Sequence, residues 1–271
     1  MIDMDKRLNA LVILIRGAGE MATGVAHRLS SCHFKVCMTE TSNPQAVRRK
    51  VAFSEAIFDK EKEVEGIAAK LVESPEQISE TWKDGKIPIL VDPETKVKDF
   101  LKPDVFVDAT LSKRNTGTKI TDGLLVVGLG PGFVAEKDVH IVIETNRGHN
   151  LGRIIKEGEA EPNTGIPGSI DGYTEEKVVR APRAGNFKAL KKIGDGVRAN
   201  EKVGMVENVE VRSRIAGVIR GLLRDGTEAW KGMKLGDVDP RGIKPHCHTI
   251  SDKARTISGG TLQAILEHFN G

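Results

Sequence analysis

Arg16-Gly17-Ala18-Gly19-Glu20-Met21-Ala22-Thr23-Gly24 is the stretch on which the fold is decided. It follows the apolar run LVILI, residues 11–15, and opens a helical pattern that ends near Leu29. Gly17, Gly19 and Ala22 fit the spacing G-x-G-x-x-G/A. The first glycine allows a tight turn, the second lets the backbone approach a phosphate, and the small third residue permits close helix packing. A helix beginning there adds unpaired N–H groups and the positive end of its dipole, so Glu20, Met21 and Ala22 join the expected cofactor-binding set. Glu40 lies 21 residues beyond Gly19, at the end of the next strand pattern, where a carboxylate would accept from ribose hydroxyls or cap the segment at Pro44.

Outward from this turn, short β-rich runs alternate with helical patterns up to about residue 145. Strands are predicted at 10–15, 34–39, 68–72, 87–91, 104–109, 124–128 and 139–143. Pro44 and Pro75 suit the first turns of helices over QAVRRKVA and EQISETW. The expected class is α/β, a Rossmann-like parallel sheet domain over 1–150 that binds a nucleotide or other anion. Residues 151–177 read as a structured connector rich in turns such as NTGIPGSIDG. Residues 178–242 carry valine-rich segments and Asp-Gly turns, with an internal repeat at a displacement of 32 residues. The repeat sets Ala184-Gly185 on Ala216-Gly217 and Gly204 on Gly236. Two similar halves predict a small all-β flattened barrel resembling the barrel-sandwich hybrid of biotinyl and lipoyl carrier domains. Its hairpin, MVENVEVRSR, has no lysine to modify. In the last segment, 243–271, GGTLQAILEHF predicts a helix that packs back on the body.

In open α/β sheets, ligands collect beyond the carboxyl ends of the strands. The residues expected there are Lys113, Arg114 and Asn115, the bend containing Gly130 and Gly132, and Glu144 and Arg147. With Arg48, they would surround an anion held by backbone amides and cations. Glu144, His149 and Cys247 are the candidate catalytic groups. Cys247 stands between His246 and His248, where a thiol of lowered pKa can act as nucleophile or carrier of sulfur or selenium, unless it is an inert buried cysteine. Adjacent residues of this kind rarely ligate one metal, and no metal site is expected.

Forty-one basic and 38 acidic side chains leave +3, too near balance for a protein whose main partner is nucleic acid or a membrane surface. No apolar run reaches the length of a membrane span, and Met1 to Arg7 is too polar to lead a signal peptide, so a cytoplasmic protein is expected. Cys32, Cys37 and Cys247 lack CxxC spacing and are expected as free thiols.

Seven segments together resemble the selenium-dependent molybdenum hydroxylase accessory proteins of the YqeB type. They are RGAGEMATG, PQAVRRKVAFSEAIF, DATLSKRNTGT, GLGPGFVAEKDVHIVIETNRGHNLGR, PNTGIPGSIDGY, DGTEAWKGMKLGDVDPRG and CHTISDKART. Met21 and Val134-Ala135-Glu136 depart from the expected Leu and Thr-Ala-Gly. The resemblance implies a maturation factor with a molybdenum hydroxylase and other maturation proteins as partners, a nucleotide or molybdopterin-type ligand, and a selenium species. The alternatives are an NAD-dependent oxidoreductase and a non-catalytic scaffold with a vestigial nucleotide-binding fold.

Overall fold

β1 (Val12–Arg16) is the central strand of the sheet that carries the glycine turn. Its Ile13, Leu14 and Ile15 are all fully buried, as a strand covered on both faces requires. The computed structural model describes residues 8–270. The turn leads into α1 (Glu20–Ser31) and back as β2 (Lys35–Glu40), parallel to β1 with Val12 opposite Lys35. α2 (Ala56–Asp59) precedes a hairpin of β3 (Glu61–Val64) and β4 (Ile67–Leu71). There follow α3 (Ile78–Lys83), β5 (Ile87–Val91), α4 (Val97–Leu101) and β6 (Val105–Asp108). β7 (Leu125–Leu129), β8 (Val134–Ala135), β9 (Ile141–Ile143), β10 (Ile154–Ile155) and β11 (Gly158–Glu159) complete this part.

Each of the seven strands expected here is present, starting within two residues of its predicted position. The Rossmann-like parallel sheet expected from them is corrected. The sheet is mixed, nine strands in the order β10-β9-β7-β6-β1-β2-β5-β4-β3, with antiparallel pairs at both edges. The connection from β6 to β7 contains no helix, and β8 leaves the sheet to pair with β11. Cover comes instead from α5 (Asp252–Asn270), which packs along α1 and touches β7, β9 and β10. The packing is close: a Cβ on Gly24 would lie 2.8 Å from that of Ala254, and one on Gly260 would lie 2.1 Å from the Gly152 carbonyl. No helix among the described residues is long and apolar enough to cross a membrane.

The chain divides into two compact units. The first runs to Pro44, resumes over Ala52–Asn163 and takes in the chain from Ile250; the second comprises Gln45–Val51 and Thr164–Thr249. The boundaries read from the sequence, at 150, 177 and 242, run serially along the chain, whereas these units interleave. Interleaving also explains why QAVRRKVA forms only a short 3-10 turn, Arg49–Val51. In the second unit the Val47 carbonyl accepts the Leu222 N–H (2.8 Å), and Arg49 Nε donates to the Leu222 carbonyl (2.7 Å). The first bond takes up a carbonyl that a helix would use, the second anchors the Arg49 side chain, and tertiary pairing overrides local propensity.

The second unit is built from β12 (Val178–Arg180), β13 (Gly185–Ala189), β14 (Gly196–Val197), β15 (Lys202–Val206), β16 (Val209–Arg212), β17 (Gly217–Leu222), β18 (Thr227–Ala229) and β19 (Lys234–Asp239). The expected flattened barrel is corrected to two four-stranded antiparallel sheets, β12-β19-β17-β14 and β16-β15-β13-β18. A 32-residue displacement carries β12, β13, β14 and β15 onto β16, β17, β18 and β19, and so converts one sheet order into the other. Each sheet therefore draws strands from both halves, and neither half can bury its valines alone. Gly185 and Gly217, aligned by the repeat, both have positive φ, and a Cβ on them would strike Glu207 and the Asp239 carbonyl, themselves 32 apart. Phe187, Val203, Leu222 and Leu235 are among the buried residues of this core.

Candidate functional site

The glycine turn, the loop after β6 and the bend after β7 meet at the carboxyl ends of the parallel strands in the first unit. A Cβ on Gly17, whose φ is +94°, would lie 3.3 Å from the Ala109 carbonyl group; one on Gly132, at φ +106°, would lie 2.5 Å from the Arg114 amide nitrogen. The two bends thus flank one stretch of backbone, residues 109–114, and neither tolerates a side chain. Gly130 closes the next step, since its Cβ would lie 2.4 Å from Thr145 Oγ1 beyond β9. Gly19, the N-cap of α1, brings no side chain to its helix start, and Met21 and Ala22 are buried in its first turn.

Three carboxylates at this rim serve the backbone. Asp108, fully buried, accepts from the Thr110 amide (3.1 Å) and hydroxyl (2.7 Å) through Oδ1, and from Thr118 Oγ1 (2.6 Å) and Arg16 Nη1 (3.3 Å) through Oδ2. It clamps both ends of the 109–118 loop, in which Leu111 and Lys113 have positive φ. Glu40, expected to meet a ribose, accepts from the Ala18 amide (2.9 Å) and the Thr41 amide (2.8 Å) instead. Glu144 accepts from the amides of Thr145, Asn146 and Glu161, each at 2.7 Å. Carboxylates holding amides in this way position loops.

The cations divide differently from the expectation. Lys113 and Arg114 are exposed on the clamped loop. Arg147 is engaged in a bidentate pair with Asp252 at the start of α5 (2.6 and 2.9 Å). Beside that pair, Lys253 was missed by sequence reading. Burial pushes its amine below the usual lysine range and Arg147 pushes it further, while Glu20, Glu144 and Asp252 act in the opposite direction. The signal was present in CHTISDKART, but only the packing of α5 on α1 brings this lysine to the glycine turn.

Other expected site residues have structural duties. Arg48 belongs to the second unit, where Nη2 donates to the carbonyls of His246 (2.6 Å) and Thr249 (3.1 Å). Asn115 is an Asx turn: Oδ1 accepts from the Gly117 and Thr118 amides, and Nδ2 donates to the Thr118 carbonyl. His149 is exposed on the loop after β9. Cys247 is buried in the second unit, its thiol near the Ile219 carbonyl (3.6 Å), and burial pushes its pKa up. That corrects the activated-thiol reading, because a neutral thiol is a poor nucleophile. Cys32, Cys37 and Cys247 are all free, and only Cys32 is exposed. Among the described residues, no group of His, Cys, Asp and Glu is arranged to hold a metal ion.

No family model matches the chain. It is 45% identical over 255 residues to the uncharacterized protein YqeB of Escherichia coli (strain K12), covering 94% of this chain and 47% of that protein. The chain spans about half the length of this curated relative. Among solved structures, it is similar to the product-bound ectoine utilization protein EutE (DoeB) from Ruegeria pomeroyi, at 11% identity and TM-score 0.25 over 84% of this chain and 85% of that one. An aspartoacylase family protein from Mesorhizobium loti has 10% identity and TM-score 0.27 over 84% of each chain. A succinylglutamate desuccinylase/aspartoacylase from Rhodobacter sphaeroides has 15% identity and TM-score 0.25 over 84% of this chain and 85% of that one. The mixed sheet, with its antiparallel edge pairs, does not bear out a Rossmann-like fold.

Proposed function

We propose that this chain belongs with YqeB and is an accessory protein in the maturation of a selenium-dependent molybdenum hydroxylase. In this reading it holds a phosphorylated ligand, a nucleotide or molybdopterin-type molecule, at the carboxyl rim of the nine-stranded sheet. The observation that carries the ligand half is the convergence of Gly17 and Gly132 on the 109–114 backbone, with Lys113 and Arg114 exposed between them. The maturation half rests on the sequence resemblance. Lys113, Arg114 and Lys253 supply positive charge, and the first turn of α1 supplies N–H donors to the same anion. In this reading the chain acts as holder, because Glu40 and Glu144 are engaged with backbone amides and Asp108 with an amide, two hydroxyls and Arg16. Committing Glu40 to Ala18 also removes the ribose contact that favoured a dinucleotide oxidoreductase.

A ligand that binds only the folded state raises its apparent stability. Thermal melts against a panel of nucleotides and molybdopterin forms test the ligand half. At least one should raise Tm in the parent protein but not in a Lys113→Glu/Arg114→Glu variant. Native mass spectrometry from a selenium-fed host tests the other half. The reading is lost if no panel member shifts Tm and no molybdenum hydroxylase co-purifies.

A further inference from the structure

The first unit has a concavity at the end of its sheet opposite the glycine turn. It is an open groove of about 700 Å³ at the amino ends of β2, β4 and β5, between the C-terminal ends of α1 and α3. That volume suits a small-molecule ligand. Its walls carry His33, Lys35, Lys83 and Lys86 and no carboxylate, over an apolar floor that includes Phe34, Ile67 and Ile87. Lys86 pairs with Glu61 at 2.6 Å, and Glu61 is not part of the wall.

Lysines commonly gather at helix C-termini to complement the dipole and its unpaired carbonyls. That explanation is weak here, because both helix ends are already closed. At α1 the amides of His33 and Phe34 donate to the carbonyls of Ser30 and Leu29, and His33 takes the left-handed conformation at φ 65°. At α3 the amides of Gly85 and Lys86 donate to Trp82 and Thr81 in the same arrangement, with Gly85 at φ 71°. The cations are therefore surplus to helix capping. Between them stands Trp82, its orientation set by an indole Nε1 that donates to the Val36 carbonyl (2.7 Å), with Lys35 Nζ 6.0 Å from the ring centroid.

We infer that this groove is a binding site for a small phosphorylated molecule with a flat ring, the size of a mononucleotide. The ring would lie on the fixed indole and apolar floor, and the phosphates among Lys35, Lys83 and Lys86. A ring held against an aromatic wall and a phosphate held by ammonium groups are separable contributions, so the ligand must carry both. This site is independent of the glycine turn: it uses the other ends of the parallel strands and none of the same residues.

The test uses Trp82 as its own reporter. Trp230 is 60% exposed, so Trp230→Phe leaves a single indole without disturbing a core. Melting at the parent temperature confirms that this variant is folded. ATP should quench its fluorescence saturably. Pyrophosphate, which lacks the ring, and adenosine, which lacks the charge, should each bind at least ten-fold more weakly. Lys35→Glu/Lys83→Glu in the same background should weaken ATP at least ten-fold, whereas Lys113→Glu/Arg114→Glu should leave it unchanged. Calorimetric titration of the unaltered chain with ATP should give the same affinity. The inference is overturned by no saturation at millimolar ATP, by equal binding of adenosine or pyrophosphate, or by full retention in Lys35→Glu/Lys83→Glu. It is also overturned if only Lys113→Glu/Arg114→Glu abolishes binding, a result that would leave the glycine-rim reading standing.

Discussion

The two ends of the nine-stranded sheet treat charge in opposite ways. At the carboxyl end, Glu40, Asp108 and Glu144 are drawn inward and spend their oxygens on backbone amides, hydroxyls and Arg16. At the amino end, Lys35 and Lys83 stand exposed over helix termini whose carbonyls are already satisfied. Buried charge is expensive unless every lone pair finds a donor, whereas exposed charge costs little to keep. The first end is thus shaped by its charges, and the second merely carries them. A glycine motif marks the first end, and only surface chemistry marks the second.

Substitutions should separate the two ends by size of effect. Asp108→Ala removes the acceptor for two residues of the 109–118 loop and the carboxylate that pairs with Arg16, so denaturant melts should show a loss of about 3–5 kcal/mol. A loss below 1 kcal/mol would mean the clamp does not hold the loop. Glu144→Ala leaves three amides without their acceptor and should cost about 2–3 kcal/mol, with faster hydrogen exchange at Thr145, Asn146 and Glu161.

Lys253→Met acts in the other direction. The folded state holds the lysine with a lowered pKa, so the burial penalty is fully present below that lowered value and fades as pH rises from it to the ordinary lysine value of 10.5, the window in which the unfolded chain binds more protons. The variant should melt about 2–4 °C higher at pH 7, the size of about 1 kcal/mol, and lose that advantage toward pH 11. An advantage that grew with pH would reverse the assignment. At alkaline pH, within the window where this amine titrates, anion binding at the carboxyl rim should also be accompanied by proton uptake in the parent and by less in Lys253→Met, which calorimetry in buffers of different ionisation enthalpy reads directly. Smallest of all, Lys86→Ala breaks the exposed pair with Glu61 and should cost about 0.2–1 kcal/mol, decreasing with salt.

Much of the scaffold could be read without coordinates. Buried strands announce themselves as apolar runs such as LVILI and LLVV, and the positions of all seven followed from them. The site was less legible. Gly17 and Gly132 were recognisable because a positive φ and a close backbone approach select glycine locally. The protein partners of Glu40, Arg48 and Arg147 were not foreseen, because a charged side chain gives no local sign of its partner. In each case that partner lies far along the chain or in another element: Ala18, the His246 carbonyl and Asp252.

By itself, the chain's order of residues determined which segments extend, where the backbone must bend, and that two 32-residue halves share one core, since periodicity and backbone strain act over a few residues. Only the tertiary structure decided that residues 45–51 leave one unit for the other, that the sheet ends in antiparallel strands, and that Lys253 joins a turn more than two hundred residues earlier. Those outcomes depend on which buried polar groups find donors and which helix covers which strand. Such energies are set by groups distant in sequence and exist only once the chain has closed on itself.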